Sequence, residues 1–436
     1  MSQVKLFSSS GGARVAKRSG RQKKQKVKKP LKTLAIWLLV ILCLEGLYFF
    51  CIYTNNSFVK KWRTIYINTA MDTMRHQWLA TYFIPKDVID EVRYEYGLVK
   101  AGTVGKESTW GRTDPVPADQ TPSTSNDNIV TLDPNVTHET DQPDAEELTQ
   151  EELEKQAEEN FYSVFWELDR TSMETYLAEH PDTLANGWEH IYINEAGFDD
   201  EGTSIQSTFG EQVLAIDAYN GVLLLRISGK GYRGVLAVGK DPSRLSIEMA
   251  TTLGTAGQLS GTIAEAHNGV LAMNANGFLD PNGAGNGGLL AGYTMSNGKA
   301  YGDHFSAYAY KRIELHEDDL FYIKDALSPV SEDCTDAAEF TPALIVDGKK
   351  IMDDYWTGEQ PRACIGQSEK YEILMLVIEG RYPLEGILGT SVNNCSEILL
   401  QHKCMQAINL DGGSSAMLWF DGEYVTQSSS SPLRYT

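Results

Sequence analysis

The chain has 436 residues, enough for two or three domains, and its 42% hydrophobic content provides the apolar side chains of a packed core. This composition excludes a chain that is disordered throughout. The formal net charge of −21 argues against nucleic-acid binding by the bulk of the chain, because an acidic surface repels a phosphate backbone.

Positive charge is concentrated at the N-terminus, where residues 1–32 contain 11 Lys and Arg and no Asp or Glu. Residues 33–54 follow directly and are apolar except for Glu45, and about 20 such residues span a bilayer as a helix. Aromatic residues between Tyr48 and Tyr53 stand where a signal peptide needs small residues for cleavage. The pattern predicts an uncleaved signal anchor of a single-pass cell-membrane protein, with a cytoplasmic tail near anionic lipid and an extracellular remainder.

Two segments separate this anchor from the C-terminal half of the chain. Between residues 55 and 102, aromatic and aliphatic residues recur at helical spacing with a break at Pro85, which predicts a helical juxtamembrane segment. Residues 103–147 change to Thr, Ser, Pro, Asp and Asn with almost no aliphatic periodicity. That composition predicts a flexible acidic linker that sets the distance between anchor and head.

Residues 148–436 are predicted to form a globular head, which opens with an amphipathic helical stretch. Beyond Trp188, short β-like runs bounded by Gly, Asp or Asn dominate, and helices are expected at 241–251, 257–268 and 391–403. The run YEILMLVIEG is apolar on both faces, as in a central strand covered by helices on each side. We therefore predict an α+β domain with a mixed central sheet flanked by helices, preceded by a single transmembrane helix.

Four cysteines, Cys334, Cys364, Cys395 and Cys404, belong to this domain, and no two of them form a CxxC pair. In an oxidising compartment they allow two disulfides, with Cys395 and Cys404 closing a short loop. A domain of this size does not need such bridges, so the sequence leaves the pairing open.

The most informative run is AINLDGGSSAMLWFDG, a buried strand followed by a polar Gly-rich turn and a second strand. Gly412 and Gly413 let a bulky anion approach the main chain, Ser414 and Ser415 add donors, and Asp411 places a carboxylate at the strand end. A phosphorylated sugar needs such a set of groups. On composition alone, a tight β-hairpin with Asp-Gly turn chemistry is the favoured alternative.

A second run, MNANGFLDPNGAGNGG, follows another apolar strand and offers Asn274, Asn276, Gly277 and Asp280 to a ligand. Its spacing partly matches a calcium loop, but the EF-hand pattern has Glu at the twelfth position, where this chain has Ala291. A plain Gly-rich loop is therefore preferred. We predict no metal site and no cofactor, with assistance by a divalent cation left open.

Two arginines adjoin strands, Arg362 in QPRACIG and Arg381 in VIEGR, and a guanidinium suits bidentate recognition of phosphate. Each is alternatively part of a surface ion pair, with Glu379 as the obvious neighbour of Arg381. His304 in GDHF is a candidate proton shuttle at neutral pH, or else a structural histidine in a polar turn.

The runs NANGF, TPALIVDG, PRACIG, VIEGR and NLDGGSSAM occur in this order and resemble the phosphodiester glycosidase family. The similarity extends from about Trp188 to the C-terminus. The chain departs from the family pattern with NANGF in place of NGGFF, with one glycine fewer in NLDGGSS, and with PLEGILGTSVNN in place of a simpler Gly-Ser turn. Family members typically continue into a final strand, so we expect a truncated C-terminus here.

This resemblance implies hydrolysis of a sugar-1-phosphodiester, such as a GlcNAc-1-phosphodiester in exopolysaccharide, at its glycosidic bond. Arg362 and Arg381 would stabilise the phosphate leaving group, and Asp411 would be the nucleophile or the general base, or would orient the sugar. Glu379 or Asp280 would supply a second carboxylate. The substrate-binding residues implied are Asn274, Asn276, Gly277, Asp280, His304, Gly412, Gly413, Ser414 and Ser415.

Two further interpretations fit the same sequence. One is a glycan-binding or scaffold protein of the cell envelope that keeps the family fold without turnover, which the altered NANGF and shortened glycine run favour. The other is a membrane-anchored glycopolymer phosphotransferase, for which more arginines in the site and a groove for a polyprenyl lipid are expected.

Overall fold

The computed structural model describes residues 30–73, 76–109, 149–197, 200–279, 287–305, 310–351 and 358–430. The predictions for the basic tail before residue 30, for most of the acidic linker, for Asp280 and for the C-terminal truncation therefore concern residues outside the described ranges.

Helix α1, Pro30–Tyr53, belongs to a compact unit of its own, residues 1–54. Within it, Thr33–Tyr53 is long and apolar enough to cross a membrane, with a mean hydropathy of 2.4, and it is the one such helix in the described part of the chain. The large apolar side chains of Thr33–Tyr53 other than Ile52 are exposed, as suits a helix surrounded by apolar solvent.

The second unit begins at Asn55 and contains all the remaining described elements. Side-chain caps start several of its helices: Asn56 accepts from the N–H groups of Phe58 and Val59, and Thr149 forms a capping box with Glu152. These helices are α2 (Ser57–Met71), α3 (Trp78–Thr81), α4 (Lys86–Ala101), α5 (Gln150–Val164), α6 (Arg170–Glu179), α7 (Ser260–Ala266) and α8 (Val392–Gln401).

Nineteen short strands follow in the described residues of this unit, and every pairing between them is antiparallel. They are β1 (Tyr192–Asn194), β2 (Gln212–Asp217), β3 (Val222–Gly229), β4 (Tyr232–Gly239), β5 (Leu271–Met273), β6 (Gly277–Phe278), β7 (Leu290–Ala291), β8 (Thr294–Ser296), β9 (Lys299–Tyr301), β10 (Lys311–His316), β11 (Phe321–Asp325), β12 (Cys334–Phe340), β13 (Ala343–Val346), β14 (Lys349–Lys350), β15 (Arg362–Ser368), β16 (Ile373–Glu379), β17 (Cys404–Asn409), β18 (Leu418–Phe420) and β19 (Glu423–Tyr424).

The largest sheet has nine strands in the order β1-β2-β3-β4-β16-β15-β17-β13-β14. Strand β16 lies in its middle with all seven residues buried, which confirms the central strand expected from YEILMLVIEG. Helix α8 contacts β13, β15, β16 and β17, while β10 and β11 contact β17. The α+β prediction is therefore confirmed, and the sheet is covered by a second sheet as well as by a helix.

That second sheet, in the order β11-β10-β12-β8-β9, includes a fully buried strand with the charged sequence KRIELH. Arg312 is completely buried and donates to Glu314 Oε1 at 2.8 Å and to the Ala326 carbonyl at 3.1 Å. His316 Nε2 lies 2.9 Å from Glu314 Oε2. Each of these buried charges has a partner, which offsets the cost of removing it from water.

One expected helix is absent. Residues 241–251 contain only the 3₁₀ turn Pro242–Arg244, so the prediction of a helix there was wrong. The Asp241 side chain accepts from the N–H of Ser243, and the N–H of Ile247 donates to Asp336 Oδ1, so these N–H groups are not available to a helical ladder. The helices expected at 257–268 and 391–403 are confirmed as α7 and α8.

The juxtamembrane helices belong to the same compact unit as the head. Arg93 of α4 donates to Asp72 at 2.6 Å. The segment after α4 continues onto the second sheet, where the Ser108 N–H donates to the Ile323 carbonyl at 2.9 Å and Thr109 N–H donates to Asp347. Residues 103–109, placed in the linker by sequence, are thus in contact with the head.

Candidate active site

The Gly-rich turn lies at the end of β17, against the start of β15. Gly413 N–H donates to the Pro361 carbonyl at 3.0 Å, and a Cβ on Gly412 would lie only 2.7 Å from that same oxygen. Gly413 has φ +65°, and a Cβ there would lie 3.0 Å from Nη2 of Arg381. Both positions therefore require glycine, because the Pro361 carbonyl and the Arg381 guanidinium lie where a side chain would be. The guanidinium is held against the main chain of the turn.

Arg381 itself has an uncommon backbone, with φ +68°. Its N–H donates to the Leu388 carbonyl at 3.2 Å, and Nη2 donates weakly to Gln360 Oε1 at 3.4 Å. A non-glycine residue in this left-handed region costs of order 1 kcal/mol, and such strain often marks functional sites. The strain here directs the guanidinium of Arg381 over Gly413.

Glu379, the expected partner of Arg381, is engaged elsewhere. Its Oε2 accepts from Arg233 Nε at 2.7 Å, and its Oε1 accepts from the Gln427 N–H at 2.8 Å. Glu379 and Arg233 are direct cross-strand neighbours on β16 and β4. Both oxygens of this buried carboxylate are thus occupied by groups other than Arg381.

Asp411 stands at the strand end and is tied to the second sequence run. Its N–H donates to the Ala275 carbonyl at 3.1 Å, and its carbonyl accepts from Asn274 Nδ2 at 2.6 Å. Asn274 Oδ1 in turn accepts from the Met417 N–H at 3.2 Å, so one buried amide clamps both ends of the Gly-rich turn. The Asp411 carboxylate also faces Tyr310, whose pKa is raised by burial and then by that negative charge.

Ser414 and Ser415 are both buried within the turn. The Ser415 N–H donates to the Gly412 carbonyl at 3.3 Å, and Ser428 Oγ donates to the Ser414 carbonyl at 3.0 Å. The turn is therefore braced internally and from the segment after β19.

Asn276 points to the other side of the Asn-Ala-Asn run. Its Nδ2 donates to the Tyr293 carbonyl at 3.1 Å and to Thr294 Oγ1 at 2.8 Å, while its buried Oδ1 has no hydrogen-bond partner among the described residues. Asn276 and Gly277 also line a mainly apolar cavity of about 550 Å³ between the two large sheets. The residues that line this cavity do not include Asp411 or Arg381.

His304 lies beyond Asn276, stacked on the Tyr293 ring with centroids 4.4 Å apart. Its Nδ1 lies within hydrogen-bonding distance of Glu339 Oε1, and the fully buried Glu339 also accepts from the N–H groups of Tyr293 and Phe305 through Oε2. The His304 side chain remains 38% exposed. A carboxylate on one ring nitrogen orients an imidazole for proton transfer at the other.

Arg362 is buried, with Nε donating to the Thr390 carbonyl at 3.1 Å and Nη2 donating to the Gly358 carbonyl at 2.7 Å. A Cβ on Gly412 would lie 3.7 Å from its Cα, so Arg362 adjoins the turn through its main chain. The pKa of Lys100 in α4 is lowered chiefly by burial, and the charges of Arg93 and Arg362 add to that lowering.

The fold thus gathers Asp411, Arg362, Arg381 and residues 412–415 around one turn, with Asn274 as its clamp. Asn276 and His304 form a neighbouring polar group, and Glu379 pairs with a different arginine. Sequence reasoning did not identify Gln360, Tyr310, Tyr96 or Lys100 as neighbours of the turn, because they come from three distant segments of the chain. Only Gln360, two residues before Arg362, falls inside a motif that had been recognised.

Residues 267–435 match the family model described as phosphodiester glycosidase. Structures that resemble the chain include the zebrafish N-acetylglucosamine-1-phosphodiester alpha-N-acetylglucosaminidase catalytic domain auto-inhibited by its pro-peptide, at 16% identity over 49% of this chain and 78% of that chain, with a TM-score of 0.40. A hypothetical protein from Synechocystis has 14% identity, coverage of 51% and 62%, and a TM-score of 0.34. A Burkholderia pseudomallei protein described as exported has 14% identity, coverage of 47% and 72%, and a TM-score of 0.33.

Curated protein sequences give no match to this chain. The family match covers the Asn-Ala-Asn run, both arginines and the Gly-rich turn, which are the segments that the fold brings together. Residues 267–435 are therefore similar to the phosphodiester glycosidase family.

Proposed function

We propose that this chain is a membrane-anchored hydrolase that cleaves the glycosidic bond of sugar-1-phosphodiesters in cell-surface polysaccharide. The observation that carries the proposal is the Arg381 guanidinium held against Gly413, with the Asp411 carboxylate two residues earlier on the same turn. A planar cation and a carboxylate at one Gly-rich turn fit a phosphate and the sugar carbon bonded to it.

The phosphate leaving group determines what this site must supply. A departing phosphomonoester takes up negative charge and needs little protonation, so positive charge stabilises it more effectively than a general acid does. Arg381 is the donor that faces the turn directly. Asn274 keeps the turn in place by bonding to Asp411 and Met417, so its role is to position the site.

In the hydrolytic step, Asp411 takes a proton from water as the water oxygen bonds to the anomeric carbon. The bond from that carbon to the phosphate oxygen breaks, and its electron pair stays with the phosphate. In the alternative route, Asp411 bonds to the anomeric carbon first and water releases the sugar in a second step. Inversion of the anomeric configuration indicates the first route, and retention indicates the second.

His304 is assigned to proton transfer rather than to binding. Glu339 fixes its Nδ1 while 38% of the side chain stays exposed, which leaves the imidazole accessible to a water or a sugar hydroxyl. Glu379 has no assigned part in the chemistry, because Arg233 and Gln427 occupy both of its oxygens.

The anchor is assigned to α1. Eleven basic residues and no acidic ones precede its apolar segment, which favours a cytoplasmic N-terminus and an extracellular head. Proteolysis of intact cells tests this topology: cleavage of the head by external protease supports it, and protection of the head contradicts it.

The test of activity uses the full chain in detergent with a panel of sugar-1-phosphodiesters, beginning with a GlcNAc-α-1-phosphodiester. We expect release of free sugar, and a loss of about 100-fold or more in kcat for Asp411→Asn. Asp421→Asn is the matched control, since Asp421 also stands in an Asp-Gly turn but bonds Tyr192. Absence of release across the panel by folded protein would support the glycan-binding interpretation, and transfer to a glycan acceptor would support the phosphotransferase.

A further inference from the structure

The juxtamembrane helices lie against the strand that carries Arg362, although they precede the family match. Thr69 Oγ1 of α2 accepts from the Glu359 N–H at 3.1 Å, and a Cβ on Gly358 would lie 2.4 Å from the Thr69 Cα. Gly358 is also the residue whose carbonyl receives Nη2 of Arg362. Helices α2 and α4 contact each other, so α4 packs on the helix that adjoins Gly358.

Two cations of α4 lie over one ring of the same helix. Lys100 Nζ lies 4.4 Å from the centroid of Tyr96, and Arg93 Cζ lies 4.6 Å from the same centroid. The charge of Arg362 also reaches Tyr96, where it opposes the effect of burial on the tyrosine pKa. Tyr96 further packs against the core of the head, which fixes this arrangement on the domain.

The negative charge available to these cations is limited. Asp72 is bound to Arg93 at 2.6 Å, and Arg362 donates to main-chain carbonyls. The half-buried Lys100 ammonium has no hydrogen bond or ion pair with any residue that the structure describes. A buried ammonium without a carboxylate partner is costly, and a bound anion would remove that cost.

We propose that Lys100 is a substrate-binding residue that contacts a phosphate oxygen of the substrate and of the released phosphomonoester. This rests on the proposed function. The juxtamembrane segment is then part of the active site, and the head cannot be separated from it at residue 148 without loss of phosphate affinity.

The charge state of Lys100 provides a specific signature. Its pKa is lowered to about 8, chiefly by burial, with Asp72 opposing the shift and the charges of Arg93 and Arg362 adding to it. A bound phosphate favours the protonated form, so Lys100 must take up a proton to bind above pH 8. Phosphate affinity therefore falls as pH rises through about 8, while Tyr96, whose pKa is raised chiefly by burial, stays neutral.

The experiment measures KM and kcat for the phosphodiester, and the Kd of inorganic phosphate by calorimetry, on the full chain at pH 6.5 and pH 9. For Lys100→Met we expect KM and the phosphate Kd to rise about tenfold or more at pH 6.5, with a smaller change in kcat. Lys100→Arg should keep the affinity at pH 6.5 and lose less of it at pH 9. Lys60→Met is the control, because Lys60 in α2 pairs with Glu95.

Unchanged KM and phosphate Kd in a folded Lys100→Met protein overturn the inference. A rise in kcat also overturns it, because it would identify α4 as a cover over the site. The phosphate measurement needs no turnover. If phosphate binding depends on Lys100 but no hydrolysis occurs, this inference is supported and the proposed hydrolase activity is contradicted. If hydrolysis occurs but KM and the phosphate Kd do not depend on Lys100, the hydrolase activity is supported and this inference is contradicted.

Discussion

The guanidinium of Arg381 occupies the space that a side chain at Gly413 would fill, at 3.0 Å from the position of a Cβ there. Two conformational exceptions meet at this contact, because Gly413 has φ +65° and Arg381 has φ +68°. The protein thus sustains an unfavourable backbone at Arg381, and needs glycine at position 413, to hold a cation against a main-chain turn.

Gly413→Ala should displace Arg381 and strain the backbone. We expect kcat/KM to fall about 100-fold or more as the phosphate contact is lost, with a stability cost of about 1–2 kcal/mol from the positive φ. Steady-state kinetics and thermal unfolding measure the two effects. Gly422→Ala is the control, since Gly422 has φ +95° but nothing within 4 Å of an added Cβ. Equal losses of activity in both variants would show that strain alone, and not Arg381, is responsible.

Arg381→Lys keeps the charge but removes the planar pair of donors. We expect kcat/KM to fall about 10- to 100-fold with little change in Tm, because an ammonium does not reproduce bidentate phosphate contact. Arg170→Lys, at the exposed ion pair with Glu159, serves as the control for a general Arg-to-Lys effect. Full activity in Arg381→Lys would remove Arg381 from the phosphate site.

Glu379→Gln should affect stability more than chemistry. Loss of the buried charge that accepts from Arg233 and Gln427 is expected to cost about 1–3 kcal/mol of unfolding free energy. A double-mutant cycle with Arg233→Met, read by urea unfolding, isolates the coupling between the two residues. A large drop in kcat with unchanged stability would instead restore Glu379 as a catalytic carboxylate.

The buried carboxylate of Glu314 in strand β10 should make the fold sensitive to acid. Burial opposes ionisation of Glu314, but hydrogen bonds from His316 and Ser331 and the Arg312 charge outweigh it and lower its pKa to about 2. Because the folded pKa lies below the unfolded one, this carboxylate stabilises the fold above about pH 4.5 and loses that effect as pH falls towards 2. Urea unfolding between pH 5 and pH 2.5 should show a steep loss that is much shallower in Glu314→Gln. An equally steep profile in the variant would assign the acid transition to other groups.

The sequence predicted well wherever a residue's role depends on its chain neighbours. The apolar run of β16 and the glycines of the 412–413 turn are of this kind, since burial on both faces and close main-chain approach each impose a local composition. The family resemblance from about Trp188 was confirmed over residues 267–435.

Contacts between distant segments were not predictable in this way. The sequence of strand β10 is typical of a polar surface segment. In the structure the strand is buried, and its charged residues pair with one another and with main-chain carbonyls. The sequence predicted an ion pair between Glu379 and Arg381 because they are two residues apart. In the structure Glu379 pairs with Arg233, its neighbour across β16 and β4. The composition of α4 gives no sign that the charge of Arg362 acts on Tyr96 and Lys100.

Attachment of residues 55–109 to the head changes the role of the acidic segment that follows. Thr109 bonds Asp347 on one side of it, and α5 enters the core of the same unit on the other. Residues 110–148 therefore connect two segments of one folded unit, and this excursion lies after the junction between α1 and that unit. Halving this excursion should stabilise the fold by only about 0.6 kcal/mol through a smaller loop-closure entropy. The junction between α1 and α2 keeps its original length in such a variant.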